Sequence, residues 1–514
     1  MSRPLPHISI IGLTEDGDFT NSLLEKIEDE FKNKRTRLLM DAGVKKIDEY
    51  NALEKKPSYC SAYPEGCPGY LKHVVLIVDE FGVMSAKLEH GQKAEFGEAL
   101  RKYRSHGLYC VFANQSSVVG NRELLDSDAL AQIGGRLAFR NSDDGEARRI
   151  FPNDDRLLAL PRLHSLIQGQ AIIYSEQQFN VVESVFVDPE REKKIAEECR
   201  KSFGESHPLV VDQCERKNFD MRLFSEPNTP DTGSCEQLVI GSSMSLLRPY
   251  QSIAMKREPY NNVLVLGSNS DLRFSAVASL ATAVAMSGGV VQIVSVPDST
   301  AYGRYRDFAE ALNLDFHDSY IGVRRAVETA AQAVKNGPTS ATHLLVLDEA
   351  AMLFEEMFSD PEESFGAVSP EGEAEDALDN EQGLSASDLF RKQLAAARVE
   401  KGSSSALQEK QKFIEAMMRV VSRGSRQGVH VCWSDEFEPN FGSRTLFGMN
   451  WPGDSASQVF KHRIASKMKD RATAVRLGFG DGITDIPSKE ENAVMAYCDG
   501  LGNCSKFRPF RMGW

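Results

Sequence analysis

The sequence predicts an α/β protein made of two copies of one domain, each built on a mainly parallel sheet. Three observations carry that expectation: a repeat within the chain, apolar runs alternating with helical stretches, and strands too apolar to have a wet face. The repeat fixes the domain count. The first copy holds HVVLIVDEF (73–81), a helical stretch, GLYCVFANQ (107–115), GGRLAFRNSDD (134–144) and GQAIIYSEQQFNVVESVFV (169–187). The second holds HLLVLDEA (343–350), a helix, GVHVCWSDE (428–436), SRTLFGMNWPGDS (443–455) and AVMAYCDGLGNCSKFRPF (493–510). Each copy has an apolar strand ending in Asp-Glu, a helix and a strand opened by glycine. An Arg-x-x-Phe strand and a closing hairpin follow.

Short β-branched runs between amphipathic stretches imply βαβ units and a parallel sheet. VVLIV and LLVL are apolar on both faces, as strands covered by helices on both sides must be. The copies differ in one spacing: 28 residues separate Asp79 from Gly107, whereas 80 separate Asp348 from Gly428. An acidic insertion at about 355–405 fills much of that gap, with eleven acidic and no basic residues between Glu355 and Glu381. It reads as a solvated segment. The stretch 189–245 is mixed and charged, with turn signals at EPNTPDTGS (226–234), and is expected to link a domain at 1–188 to one at 246–514.

A chain of 514 residues exceeds one ordinary core, and 41% hydrophobic with 26% charged residues is a globular composition. No run approaches a membrane-spanning length, and MSRPLPHISIIGLTEDG turns acidic too early for a secretory signal, so a cytoplasmic chain is expected. The nine cysteines, at 60, 67, 110, 199, 214, 235, 432, 498 and 504, form no C-x2-C pair and are expected to be reduced and structural. A net charge of −14 argues against a simple basic nucleic-acid binder, though not against a local surface such as the inner face of a ring.

An apolar strand ending in Asp-Glu is what a nucleotide hydrolase places opposite its phosphate loop. The aspartate holds the Mg²⁺ hydration shell, and the glutamate orients or deprotonates the attacking water. Asp79-Glu80 and Asp348-Glu349 fit that description, at strand ends where open α/β sheets bind ligands. The same pattern also arises wherever a strand meets a helix cap. Asn114-Gln115 ends the next strand of the first copy and is suited to sensing a γ-phosphate, or is a polar exit. Ser434-Asp435 takes that place in the second copy, and an anionic Asp suits a phosphate poorly.

A phosphate-binding loop, G-x4-G-K-[ST], cradles phosphates with backbone N–H groups and one lysine. Gly-Lys occurs nowhere in the chain. The second copy has a strand, turn and helix in the right place, NNVLVLGSNSDLRFSAVASLA (261–281). Aligned on Gly267, Leu272 stands at the second glycine, Arg273 at the lysine and Phe274 at the metal-binding hydroxyl. Gly267, Arg273, Asp348 and Glu349 are thus the candidate residues of a degenerate nucleotide site. The first copy has only HISIIGL and a helix at roughly 20–41 ahead of its acid pair, with no glycine-rich turn.

Four segments resemble the FtsK/SpoIIIE family of DNA-translocating ATPases, within the FtsK–HerA group. FKNKRTRLLMDAGVKKIDEYNAL (31–53) is similar to the family helix E-R-R-Y-x-L-x-x-x-x-G-V-R-N-I-x-x-Y-N, and VVLIVDEF (74–81) to its Walker B strand. GLYCVFANQ resembles G-I-H-L-V-L-A-T-Q, and RLAFRNSDDGEARRIF (136–151) resembles R-I-A-F-x-V-x-x-x-x-D-S-R-x-I-L. The resemblance implies tandem RecA-like, P-loop-NTPase-type domains with mainly parallel sheets, the first incomplete. It makes Asp79 and Glu80 the Walker B acids, Asp79 holding Mg²⁺ through water, and Gln115 the sensor, with Asn114 departing from the usual Thr. Arg136 and Arg148 match family positions and are candidates for acting across a subunit boundary, or structural ion-pair residues. ATP and Mg²⁺ are the implied cofactors, double-stranded DNA the implied partner and a homo-oligomeric, hexameric ring the implied assembly.

The second copy resembles the degenerate modules of tandem members, among them the ATPases of type VII secretion. A DNA motor, a secretion ATPase moving protein substrates, and a pseudo-ATPase regulatory subunit therefore all stay open. In the family the phosphate loop precedes the matched helix, so the chain is expected to begin inside its first ATPase domain, and retention of Asp79, Glu80 and Gln115 favours a missing segment over a non-catalytic paralogue. A first copy without its loop strand and helix is expected to expose a sheet edge and apolar faces.

Overall fold

A computed structural model describes residues 5–13, 16–88, 90–115, 118–119, 122–123, 132–143, 145–204, 208–212, 216–224, 237–349, 403–436, 456–467, 471–479 and 493–513. The chain divides into two compact units, one of residues 1–213 with 245–247 and one of 214–244 with 248–514. The segment expected to be a linker is thus shared between them. It carries a helix (Pro189–Phe203) and a strand (Leu209–Asp212) of the first unit and a strand (Gln237–Ser243) of the second. The acidic insertion lies almost wholly outside the described residues, as does 443–455.

In the first unit, β1 (Ile10–Leu13) leads into one long helical rod. This runs as α1 (Gly17–Glu28), a π-helical stretch (Asp29–Arg35) and α2 (Thr36–Asp41). Arg35 turns inward from that rod and donates to the carbonyls of Lys72 and His106, both at 2.9 Å. After α3 (Ile47–Ala52), the Asn51 amide exchanges two hydrogen bonds with the Leu71 backbone, fixing the approach to β2 (Val74–Val78). α4 (Phe81–Lys87) and α5 (His90–Lys102) cross to β3 (Leu108–Phe112), parallel to β2. A short hairpin, β4 (Val118–Val119) and β5 (Arg122–Glu123), precedes β6 (Arg136–Phe139). After α6 (Gly145–Ile150), β7 (Gln170–Ser175) and β8 (Gln178–Glu183) complete an antiparallel β6-β7-β8 sheet. α7 (Pro189–Phe203) and β9 (Leu209–Asp212) follow, β9 pairing in parallel with β1. Among the described residues no strand pairs β3 with β6. Val75, Ile77, Tyr109 and Val111 of β2 and β3 are exposed, Ile77 at 72%, so among the described residues helices do not cover both faces of this strand pair.

The second unit is built on one ten-stranded sheet. Its strands are β10 (Gln237–Ser243), β11 (Tyr250–Ala254), β12 (Val263–Leu266), β13 (Val290–Val294), β14 (Asp315–His317), β15 (His343–Asp348), β16 (Val429–Asp435), β17 (His462–Ala465), β18 (Met495–Cys498) and β19 (Cys504–Pro509). The order is β11-β10-β19-β18-β17-β12-β16-β15-β13-β14. The six strands from β17 to β14 are parallel, and antiparallel pairing extends the sheet beyond β17. Alternation sends Leu264, Leu266, Leu345, Leu347, Val431 and Trp433 to one face, under α10 (Tyr320–Asn336) and α11 (Ser403–Arg423). Val263, Val265, Leu344, Val346 and Cys432 point to the other, under α8 (Ser270–Met286) and α9 (Tyr302–Leu312). Thirteen of the seventeen residues of α8 are buried, as suits a helix apolar on nearly every side. Two short helices, α12 (Ala456–Val459) and α13 (Arg471–Arg476), flank β17.

Pairing also fixes which strand of the second unit answers β6. β17 lies beside β12 and pairs antiparallel with the closing hairpin, as β6 pairs with β7. The counterpart of RLAF is therefore HRIA (462–465), and Arg463 is the counterpart of Arg136. The Arg-x-x-Phe pattern alone points to 443–455, which lies outside the described residues.

Candidate functional site

Strand order builds the site in the second unit. β16 separates β12 from β15, and all three are parallel, so their C-terminal ends bring Gly267, Asp435 and the Asp348-Glu349 pair to one end of the sheet. Gly267 lies at φ 143°, where a Cβ would stand 1.8 Å from Ser466 Oγ, so only glycine fits this turn. Its N–H donates to the Asp435 carbonyl at 3.1 Å.

A working phosphate loop leaves the first N–H groups of its helix free for the ligand. Here Asn269 caps α8 and its side-chain oxygen accepts from Leu272 N–H at 3.1 Å. Phe274, at the position of the metal-binding hydroxyl, is 1% exposed and packs edge-on against Tyr305 and Phe308. Arg273, at the lysine position, is almost fully buried. Its Nη2 donates to Glu349 Oε1 at 2.6 Å and to Thr300 Oγ1 at 3.2 Å, and its Nη1 donates to the Gly267 carbonyl. Glu349 also accepts from the Thr300 N–H at 3.1 Å and from its hydroxyl. The cation is committed to the acid it would face across a bound phosphate.

Asp348 lies beside this pair, 1% exposed. Its Oδ2 accepts from Ser295 Oγ at 2.9 Å and from Ser299 Oγ. Burial, reinforced by the Glu349 charge, pushes its carboxyl up to about 7 against the pull of those hydroxyls. Its buried Oδ1 has no hydrogen-bond partner among the described residues, the one feature here that would suit a metal-bound water. The remaining residues do not fit a nucleoside triphosphate with Mg²⁺: the cation is spent, the helix start is capped and the metal position is core.

The first unit presents the acid pair in the open. Asp79, Glu80 and Gln115 are exposed, and Gln115 Nε2 donates to Glu80 Oε1 at 2.9 Å. Glu80 N–H donates to Asp79 Oδ1 at 3.0 Å, while Asn114 Oδ1 accepts from Gly82 N–H at 3.0 Å at the start of α4. The structure therefore joins three of the residues picked from sequence. Arg136 belongs to a different group: half-buried, it donates to the carbonyls of Ile150 (2.7 Å) and Ile133 (3.1 Å), with Arg148 exposed on the same short α6. Arg463 repeats that habit, donating to the carbonyls of Phe460 at 3.2 Å and Asp499 at 2.6 Å.

One backbone feature recurs in both units. Glu80 (φ 51°) and Glu349 (φ 48°) are both left-handed, a conformation that costs a residue other than glycine about 1–3 kcal/mol and collects at ligand sites. Ser295, Ser299, Thr300 and Asn269 were not picked from sequence. Only the Asn269 cap, three residues ahead of Leu272, carries a readable signal.

No family model matches the chain, and no curated protein matches it. Solved structures do. The cytoplasmic domain of the Thermomonospora curvata type VII secretion ATPase EccC is similar with a TM-score of 0.51 and 12% identity, over 98% of this chain and 57% of that one. EssC (ATPases 2 and 3) from Geobacillus thermodenitrificans gives a TM-score of 0.49 at 12% identity, over 99% of this chain and 85% of that one. The pCW3 conjugation coupling protein TcpA, in its monomer form with ATPγS, gives 0.32 at 13%, over 67% and 85%. This chain has the fold of the EccC cytoplasmic domain: tandem RecA-like domains with a large, mainly parallel sheet.

Proposed function

We propose that the chain is a tandem ATPase-fold component of an FtsK–HerA-like translocation machine, in which the second unit is a scaffold that needs no nucleotide and the cargo is polypeptide. The observation that carries the scaffold role is Arg273, whose guanidinium is bonded to Glu349, Thr300 and Gly267 where a catalytic lysine would reach for phosphates. The first unit keeps Asp79, Glu80 and Gln115, the groups that act on a γ-phosphate and its attacking water. Hydrolysis, where the machine performs it, is assigned there, and it requires a G-x4-G-K-[ST] loop brought to Asp79 from outside this 514-residue sequence. Assembly into a ring of like subunits is part of this reading.

Titrating the full chain with a fluorescent ATP analogue and Mg²⁺, alongside thermal melts with and without ATP, tests the scaffold role. The expected result is no saturable signal and no shift in the melting of the second unit. A saturable signal that disappears in Glu349→Gln would overturn the reading.

Polypeptide cargo is supported by the net charge of −14 and by the fold shared with a secretion ATPase. Duplex DNA is the second reading, favoured by the order of the four motifs between 31 and 151. Binding to a duplex at low and at physiological salt separates the two. Retained, steeply salt-dependent binding would favour DNA, because phosphate contacts release counterions.

A further inference from the structure

The closing hairpin of the second unit carries a thiol pair that neither the ATPase fold nor the plugged site uses. β18 and β19 are antiparallel with Cys498 directly opposite Cys504. Asp499 N–H donates to the Asn503 carbonyl at 3.0 Å, making those two a hydrogen-bonded pair. Cys498 and Cys504, one step outward, are therefore a non-hydrogen-bonded pair, where opposed Cα atoms lie about 4.5 Å apart. That separation falls within the roughly 4.4–6.8 Å that a disulfide spans.

The side chains confirm that the sulfurs converge. Opposed residues leave a sheet on the same face, and both thiols donate to the carbonyl of Gly478, Cys498 Sγ at 2.9 Å and Cys504 Sγ at 3.2 Å. Arg463 Nη2 stands 3.7 Å from Cys498 Sγ. Cys498 is buried and Cys504 exposed. The Cys504 thiol and then the Arg463 guanidinium hold Cys498 down at about 6, and the same contact drives Cys504 upward, so the pair shares a proton. Burial does the opposite to Cys110, pushed up to about 12.

We propose that Cys498 and Cys504 form a redox-active dithiol site, converted to a cross-strand disulfide by a low-molecular-weight disulfide. Cys504, the reachable sulfur, passes its proton to the Cys498 thiolate as it attacks one sulfur of the small disulfide, and one thiolate leaves. Cys498 then attacks Cys504 Sγ in the mixed disulfide and gives that proton to the second departing thiolate. Two electrons leave the protein, and the small disulfide becomes one thiol and one thiolate.

The test incubates the full reduced chain with excess oxidised glutathione and maps its cysteines by peptide mass spectrometry. The expected product has lost two hydrogens in a Cys498–Cys504 link that dithiothreitol reverses. Cys498→Ser is expected to stop at a persistent glutathione adduct on Cys504, and Cys504→Ser to give no link. In the wild type, a persistent adduct on Cys504, a link from either residue to another cysteine, or two free thiols after the incubation would each overturn the proposal. The wild-type map decides alone, whether or not the variants fold.

Discussion

Ile77 and Val346 hold the same place in the two copies, two residues before the aspartate of the acid pair, and their surroundings are opposite. Val346 is fully buried on a strand flanked by β13 and β16, while Ile77 is 72% exposed on a strand whose one partner among the described residues is β3. The same sequence pattern thus yields a central strand in one unit and a bare one in the other. An apolar run specifies a strand; what covers it is decided by elements elsewhere in the chain. The two acid pairs follow the same division. The covered pair is bonded to Arg273, Thr300 and two serines, whereas the bare pair is exposed and bonded to Gln115.

A matched pair of charges separates the two strands most strongly. Val346→Lys is expected to unfold the second unit, at more than about 4 kcal/mol, because it buries an unpaired ammonium. Ile77→Lys is expected to change the stability of the first unit by less than about 0.5 kcal/mol. Urea titration with limited proteolysis of each unit reads both, and an unfolded Ile77→Lys would mean that this face is covered in solution.

Next in size is Arg273→Ala, which strands Glu349 and is expected to destabilise the second unit by about 3–5 kcal/mol. Arg273→Met combined with Glu349→Gln should recover most of that loss in the same titration, since it removes both charges together. The corresponding change in the first unit, Gln115→Ala, breaks an exposed hydrogen bond and should leave its urea midpoint almost unmoved. Gly267→Ala is expected to cost about 1–3 kcal/mol from backbone strain, and Ser466→Ala should relieve only the steric part. Equal midpoints for Gly267→Ala and the wild type would show that the turn is not held as described.

The smallest effect is a pH slope. Burial holds His430 and His462 neutral, each down at about 4, against about 6.5 in an unfolded chain. The stability they contribute is therefore present above about pH 6.5 and lost as pH falls through about 4. Asp348, raised to about 7, has the opposite sign: its contribution is complete below its unfolded value and is lost as pH rises through 7. Between about pH 4 and 6.5 two histidines outweigh one aspartate, and buried His343, also lowered, adds to them. The second unit should lose about 1.4 kcal/mol or more per pH unit on acidification. Asp348→Asn should steepen that slope, and unfolding midpoints across the window would show it.

The repeat, the acid pairs and the glycine-opened strands were legible because each is a local pattern. Positive φ at Gly107 (92°) and Gly428 (85°) gives the shared glycine its reason. What stayed hidden depends on distant partners. QLVIGSS (237–243) sits among turn signals, yet it pairs with the last strand of the chain. SRTLF and HRIA both carry part of the RLAF pattern, one its Arg-x-x-Phe spacing and the other its Arg-x-Ala core, and only pairing with β12 and β18 decides for HRIA. The inward turn of Arg273 is equally unreadable, since Ser295, Ser299 and Thr300 are ordinary loop-exit residues until the sheet sets the serines beside Asp348 and the threonine beside Glu349.

The Arg273–Glu349 pair also bears on how this unit can evolve. Restoring threonine at 274 would remove Phe274 from its contacts with Tyr305 and Phe308, and restoring lysine at 273 would replace a forked donor with a point charge. Each reversion taken singly weakens the fold before any catalysis can return. Selection for stability alone therefore opposes each of these single changes, and the arginine works as a ratchet against a lysine-based phosphate loop at this turn.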